Sequence, residues 1–131
     1  MDNLKLEVIL PDKIKISQEI DHVIVPGCDG DLGISPGHTP LITKLRPGIM
    51  KVYTGQQISY YAIHDGFLTI ENNHVRIVSE TVEEKKEINF SRAESSLQRA
   101  QQRLKGDQSD TDFRRAEASL KRATARLNLK F

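Results

Sequence analysis

Residues 90–104, FSRAESSLQRAQQRL, decide the fold, because residues 113–127, FRRAEASLKRATARL, repeat them with ten of fifteen positions identical. In the first copy Phe90, Ala93, Leu97, Ala100 and Leu104 recur at spacings of 3, 4, 3 and 4 residues, and Phe113, Ala116, Leu120, Ala123 and Leu127 do the same in the second. Apolar residues at that spacing form one stripe along an α-helix, and two matching stripes form a seam. Alternating alanine with leucine lets the two helix axes approach closely. From Ile88 onward there is no proline, and Gly106 is the one glycine. Gly106 stops the first helix, and Ser109, Asp110, Thr111 or Asp112 can cap the second. The reading is an antiparallel two-helix hairpin over residues 86–131. Each stripe is narrow. At about 25 cal/mol per Å² of apolar area, two such stripes barely offset the entropy of ordering their residues. The hairpin is therefore expected to be marginal alone and suited to moving between packings.

The preceding residues follow a different physics. All five prolines and seven of the eight glycines lie at or before Gly66. Leu4, Leu6, Val8 and Leu10 mark one apolar face at period two, and residues 13–17, KIKIS, alternate cleanly. Residues 20–25 are rich in β-branched side chains. Residues 49–54 and 57–63 read as strands separated by Gly55 and Gln56. Residues 67–70 and 75–78 flank Glu71-Asn72-Asn73-His74, where paired asparagines tolerate a left-handed hairpin turn. Many short strands with frequent turns indicate a β-sandwich or flattened barrel over residues 1–85. The fold class is α+β.

Composition narrows the function. The chain is 131 residues long with 37% hydrophobic and 5% aromatic residues, so it supports a modest core. Its apolar runs are too short for a membrane-spanning helix. Its first residues, MDNLKLE, lack the basic start and apolar stretch of a signal peptide, so the chain is expected to stay where it is made. Cys28 is alone, which excludes a disulfide framework. His22, His38, His64 and His74 lack ligand spacing, so no metal site is expected. Neither a G-x-S-x-G elbow nor a G-x-x-x-x-G-K-[ST] phosphate loop occurs, so hydrolase and P-loop chemistry are not expected. Net charge is +1 overall, but residues 1–85 carry 8 Lys/Arg against 12 Asp/Glu and residues 86–131 carry 11 against 6. A basic hairpin of this kind suits an acidic partner or a polyanion.

Residues 29–48, DGDLGISPGHTPLITKLRPG, concentrate four glycines and three prolines. They cannot be helical, and the reading is one irregular, closely specified path. Asp29 and Asp31 read as solvated turn residues or a contact surface, and His38 as the donor or acceptor of an orienting hydrogen bond. This block, together with AIHDGFLTI at 62–70 and VRIVSE at 75–80, resembles the epsilon subunit of F-type rotary ATP synthases. The resemblance runs through nearly the whole chain in order. It implies a β-sandwich of about ten strands followed by the helical hairpin, in a non-catalytic subunit of the central stalk. It further implies that the sandwich couples the gamma subunit to the membrane c-ring, with Asp29, Gly30, Asp31, Gly33, Pro36, Gly37, His38 and Pro40 in the docking loop.

The hairpin would fold against the sandwich or extend toward acidic segments of the alpha and beta subunits, restraining ATP hydrolysis. Its basic face would comprise Arg99, Arg103, Arg115, Arg122 and Arg126. Many bacterial relatives carry I/L-D-x-x-R-A at the head of the first helix, where some bind ATP. Here Ile88, Arg92 and Ala93 match, but Asn89 replaces the aspartate and cannot supply its charge. No cofactor is required, and ATP would be a regulatory ligand. Membrane association would come through the complex, on the cytoplasmic face of a bacterial inner membrane or the stromal face of a thylakoid. Two alternatives stand beside this reading: a nucleic-acid adaptor using the basic hairpin, and a stand-alone ATP sensor. The hairpin lacks exposed aromatics for base stacking, which disfavours the adaptor.

Overall fold

The structure is a computed structural model describing residues 3–106 and 109–130. Asp107 and Gln108 of the expected interhelical linker lie outside the described residues, as do both extreme ends of the expected division at 85/86. Ten strands come first: β1 Leu4–Ile9, β2 Ile14–Ile20, β3 His22–Gly27, β4 Gly30–Ile34, β5 Leu41–Leu45, β6 Gly48–Thr54, β7 Gln57–His64, β8 Gly66–Glu71, β9 His74–Val78 and β10 Thr81–Glu84. A short 3₁₀ turn, Lys85–Glu87, leads to helices α1 Phe90–Leu104 and α2 Asp110–Leu127.

The strands pair in the order β10-β7-β6-β3-β5-β8-β9-β1-β2, with β4 paired to β3. Only β1 and β9 run parallel among the paired strands. The sheet folds over one continuous core. Leu4, Leu6 and Val8 enter it from β1, Val23 and Val25 from β3, and Leu68, Ile70, Val75 and Ile77 from β8 and β9. Period-two alternation is what delivers them, since every second side chain points to the same face. The turns match their chemistry. Asn72 and Asn73 both have positive φ, 50° and 61°, and close the β8–β9 hairpin. Gly55 turns β6 into β7 at φ 61°. Gly66 has φ 141°, and a Cβ there would lie 2.3 Å from the Val78 carbonyl oxygen, so only glycine fits.

Strand β7 breaks the alternation, with Tyr61, Ala62, Ile63 and His64 all buried. Both its faces are covered. Tyr61 and Ile63 point into the sandwich core, while Ala62 joins Ile88 and Leu129 in a second, smaller cluster under the helices. Helix α2 lies over β6 and β7, and α1 packs on α2. The seam is where the repeat places it: Ala93, Ala100, Ala116 and Ala123 are buried, and the leucines between them are half-buried. Ser109 is the cap of α2, its hydroxyl accepting from the Asp112 N–H at 3.2 Å.

Residues 29–48 are not one irregular loop. Gly30, Asp31 and Gly33 lie in β4, and residues 41–45 form β5. Gly30 and Gly37 supply positive φ there, 136° and 86°, and the close backbone approach belongs to the preceding Gly27, whose Cβ would meet the Gly30 carbonyl oxygen at 2.7 Å.

Candidate functional site

The expected docking residues divide between the two ends of β4, roughly 15 Å apart at about 3.3 Å per residue. At one end, the β3–β4 turn carries Asp29, Gly30 and Asp31. Asp31 is not simply solvated: Arg46 Nη2 donates to its Oδ1 at 2.7 Å, while Arg46 Nη1 donates to the Gly27 carbonyl oxygen at 2.5 Å. At the other end lies the Ser35–Pro40 corner. Gly37 donates its N–H to Asn73 Oδ1 at 2.7 Å, which ties the corner to the β8–β9 hairpin. His38 Nδ1 lies 2.7 Å from the Thr39 carbonyl oxygen, so the orienting bond expected of His38 is present. Both ends present polar, exposed surface held by specific bonds.

The outer face of β5, β8 and β9 carries exposed apolar side chains among Lys44, Thr69 and Arg76. Phe67 pairs across to Val78 and to Lys44, and Ile42 lies on the same face one row away, opposite Thr69. Ile42, Phe67 and Val78 are 75%, 58% and 50% exposed. Three large exposed apolar side chains on one face make it a candidate contact surface. No single stretch of sequence predicts this patch, because it joins three strands.

At the head of α1, Asn89 is the N-cap. Its Oδ1 accepts from the Arg92 N–H at 3.0 Å, in extended backbone at φ −87°, ψ 97°. Ile88 and Ala93 are buried as packing residues, and the Arg92 side chain is exposed. A cleft of about 630 Å³ opens beside this turn, lined by Tyr60, Glu84, Lys86, Ile88 and Phe90 among others. Of the four motif residues only Ile88 lines it. The 3₁₀ turn preceding α1 is itself tethered. Lys15 Nζ donates to both Glu87 carboxylate oxygens at 2.6 and 2.7 Å, and this bond, with the Glu84 N–H, holds the Glu87 carboxyl below its ordinary range.

The arginines of the hairpin do not form one free face. Arg99 and Arg122 occupy equivalent repeat positions and each donates to a serine three residues back, Ser96 at 3.2 Å and Ser119 at 3.3 Å. Arg103 and Arg115 are exposed. Arg126 is turned inward: its Nε donates to Glu83 Oε1 at 2.8 Å. The same oxygen lies 3.0 Å from His64 Nε2, and His64 is 3% exposed. A carboxylate only accepts, so Nε2 carries the proton. The Glu83 pKa is lowered to about 2, chiefly by the His64 hydrogen bond, with burial opposing and Arg126 adding a second bond and its charge. His64, Glu83 and Arg126 thus form a latch joining β7, β10 and α2. The motif reading did not contain it, because the three residues share no spacing.

Among the described residues no group of His, Cys, Asp and Glu could hold a metal ion, and no helix is long and apolar enough to cross a membrane. Comparison with known proteins gives a consistent picture. Residues 3–85 match the beta-sandwich domain of the ATP synthase delta/epsilon chain, and residues 86–130 match the long alpha-helix domain of the same chain. The sequence is 39% identical over 108 residues to the ATP synthase epsilon chain of Desulforamulus reducens, covering 81% of this chain and 82% of that one. It is 37% identical over 103 residues to the epsilon chain of Carboxydothermus hydrogenoformans, covering 79% and 77%. The fold is similar to that of a chain in the Euglena gracilis mitochondrial ATP synthase structure of OSCP, F1 and c-ring, with TM-score 0.87, 19% identity and coverage of 98% and 81%. It is also similar to a chain from the central stalk and c-ring of Tetrahymena thermophila mitochondrial ATP synthase, with TM-score 0.70, 13% identity and coverage of 99% and 98%.

Proposed function

The chain belongs to the ATP synthase delta/epsilon family as an epsilon chain, a non-catalytic subunit of the central stalk, and from that premise we propose that it couples rotation and restrains hydrolysis. In this reading the β-sandwich links the gamma subunit to the c-ring. The outer face of β5, β8 and β9 takes the gamma subunit, and one end of β4 meets the ring. The hairpin is a conformational brake: folded on the sandwich it is disengaged, and extended it reaches acidic segments of the alpha and beta subunits. The complex holds the chain at the cytoplasmic face of the membrane.

The observation that carries the brake is how lightly the hairpin is held. It rests on the outer surface of β6 and β7 through the Ala62, Ile88 and Leu129 cluster and the Arg126–Glu83–His64 latch. The sandwich core contains no helical residue, so it stays closed when the hairpin leaves. We treat residues 1–85 and 86–131 as separable on this ground. A fragment ending at Glu84 should fold, assemble with the complex and hydrolyse ATP faster than the full chain. Unchanged hydrolysis in the assembled complex refutes the brake. A changed charge beside each end of β4, Asp31→Lys in one variant and His38→Glu in another, should weaken assembly at the ring-facing end alone. Normal assembly and coupling in both leaves β4 a structural strand.

Regulatory ATP is disfavoured at the head of α1. Asn89 spends its side-chain oxygen on the helix cap, and Arg92 is not drawn toward the neighbouring cleft. The isolated chain should show no shift in melting temperature at millimolar ATP. Micromolar binding by calorimetry would make the hairpin ATP-gated instead.

A further inference from the structure

Helix α2 touches the sandwich at its C-terminal end, where Ala125 and Leu129 are buried. Its N-terminal half overhangs the β3–β4 and β5–β6 turns and leaves a cleft of about 300 Å³. That is the small end of ligand-pocket sizes, about 300–1,000 Å³. Arg114, Glu117 and Lys121 line it from one stripe of the helix. Lys44, Arg46 and Asp65 line it from the sandwich, with Cys28 beside them.

The charges here are unequally served. Arg46 is committed to Asp31 and to the Gly27 carbonyl oxygen. Lys121 shares a 3.6 Å contact with Glu117, an exposed helical pair of little worth. Lys44 and Arg114 enter no ion pair or side-chain hydrogen bond among the described residues. They come from different elements and face the same gap, with Asp65 the remaining unpaired carboxylate on its wall. Lys44 and Arg114 are both exposed, so water screens their mutual repulsion, and a small multiply charged anion in the cleft gains an attraction to each. Arginine's fork fits a tetrahedral oxyanion through two donors, and lysine supplies a compact charge from the opposite side.

We propose that this cleft between α2 and the β5 end of the sandwich binds a phosphate-class anion, held by Lys44 on one side and by Arg114 and Lys121 on the other. The anion is either free or the phosphate tail of a larger molecule. The site lies apart from the head of α1 and from the Glu83 latch. A bound anion bridges α2 to the sandwich and favours the folded hairpin. That consequence rests on the hairpin reading given above, whereas binding itself does not.

Cys28 is the one cysteine of the chain, is exposed, and lines the cleft, so it reports occupancy. The full chain is alkylated with iodoacetamide, an uncharged reagent, at constant ionic strength with pyrophosphate, inorganic phosphate, ATP or potassium chloride. Millimolar pyrophosphate should slow Cys28 alkylation several-fold and saturably, while chloride does not. The double variant Lys44→Gln/Arg114→Gln should alkylate at one rate with or without pyrophosphate, and its circular dichroism should match the parent. Amide shifts at Lys44 and Arg114 on adding pyrophosphate give a second readout that needs no variant. Equal protection by ATP and pyrophosphate supports recognition of phosphate alone. Protection by ATP alone overturns the proposal, as does saturable protection surviving in the double variant or no protection by any phosphate. The hydrolysis assay on the truncated fragment is indifferent to all of these outcomes, so the two readings fail separately.

Discussion

The sandwich and the hairpin bury different things. The sandwich closes over leucine, isoleucine and valine drawn from all ten strands. The hairpin closes over alanine, with Ala93 and Ala100 facing Ala116 and Ala123 and its leucines half in water. Fully burying a large aliphatic side chain contributes about 1.5–3 kcal/mol, and one methyl about 0.8. The sandwich therefore holds its shape through area removed from water. The hairpin depends on caps, one latch and a small cluster. One chain thus carries a stiff body and an arm that can leave it at modest cost.

The strongest way to break this contrast is inside the sandwich. Leu68 is fully buried, so Leu68→Ala should cost about 2–5 kcal/mol in urea unfolding. A loss below about 1 kcal/mol would mean a plastic core and remove the contrast.

The latch gives the next effect, and it depends on pH. Glu83 is depressed from 4.5 to about 2 in the folded chain, so its contribution is complete above 4.5 and is lost as pH falls through 2. The difference corresponds to at most about 3 kcal/mol, of which only the smaller Arg126 share ties α2 to the sandwich, the His64 share lying between β7 and β10. Amide protection in α2, taken against the intrinsic exchange rate at each pH, should fall across that window before protection in β8 and β9 does. Arg126→Gln should raise α2 exchange at neutral pH and flatten its acid dependence. Equal loss of protection in both regions would show that the arm does not open independently.

A smaller effect belongs to the head of α1. Asn89→Ala should cost the hairpin about 1 kcal/mol, while Asn89→Asp keeps the cap and changes stability by about 0.5 kcal/mol or less. Smallest is Lys130→Ala. The Lys130–Glu94 pair is half exposed on both sides, and its loss should change stability by less than about 0.5 kcal/mol.

The hairpin was legible because its signal is local. The repeat, the 3-4 spacing, Ser109 as a cap and the Asn72-Asn73 turn each act within a few residues. Strand β4 was hidden by its own glycines. Gly30 and Gly33 read as breakers, yet Gly30 supplies the φ of 136° at the β3–β4 turn and Gly33 sits in the strand at ordinary distance from the His22 ring. The alternation of β5 was present in Leu41, Thr43 and Leu45 but was masked by its proline-rich neighbours. The latch had no sequence signature. His64 and Glu83 are 19 residues apart, and Arg126 lies 43 beyond Glu83, so only the packing of α2 on β7 joins them. The residues expected to dock read as one loop in the sequence, whereas the fold divides them between opposite ends of β4.

The parallel pairing of β1 with β9 has a consequence for biogenesis. Lys5 sits opposite His74, and Ile9 opposite Val78. Strand β1 precedes every other strand in the chain, yet its parallel partner is almost seventy residues behind it in translation. Until β9 emerges, β1 has only β2 beside it, and a lone two-stranded ribbon is marginal in water. Contacts of such long sequence separation make closure slow. The nascent chain must therefore wait, with Leu4, Leu6 and Val8 unsheltered, until residue 78 has cleared the ribosome. The helices are made after that point, so a ribosome stalled within them would already hold the material of a finished sandwich.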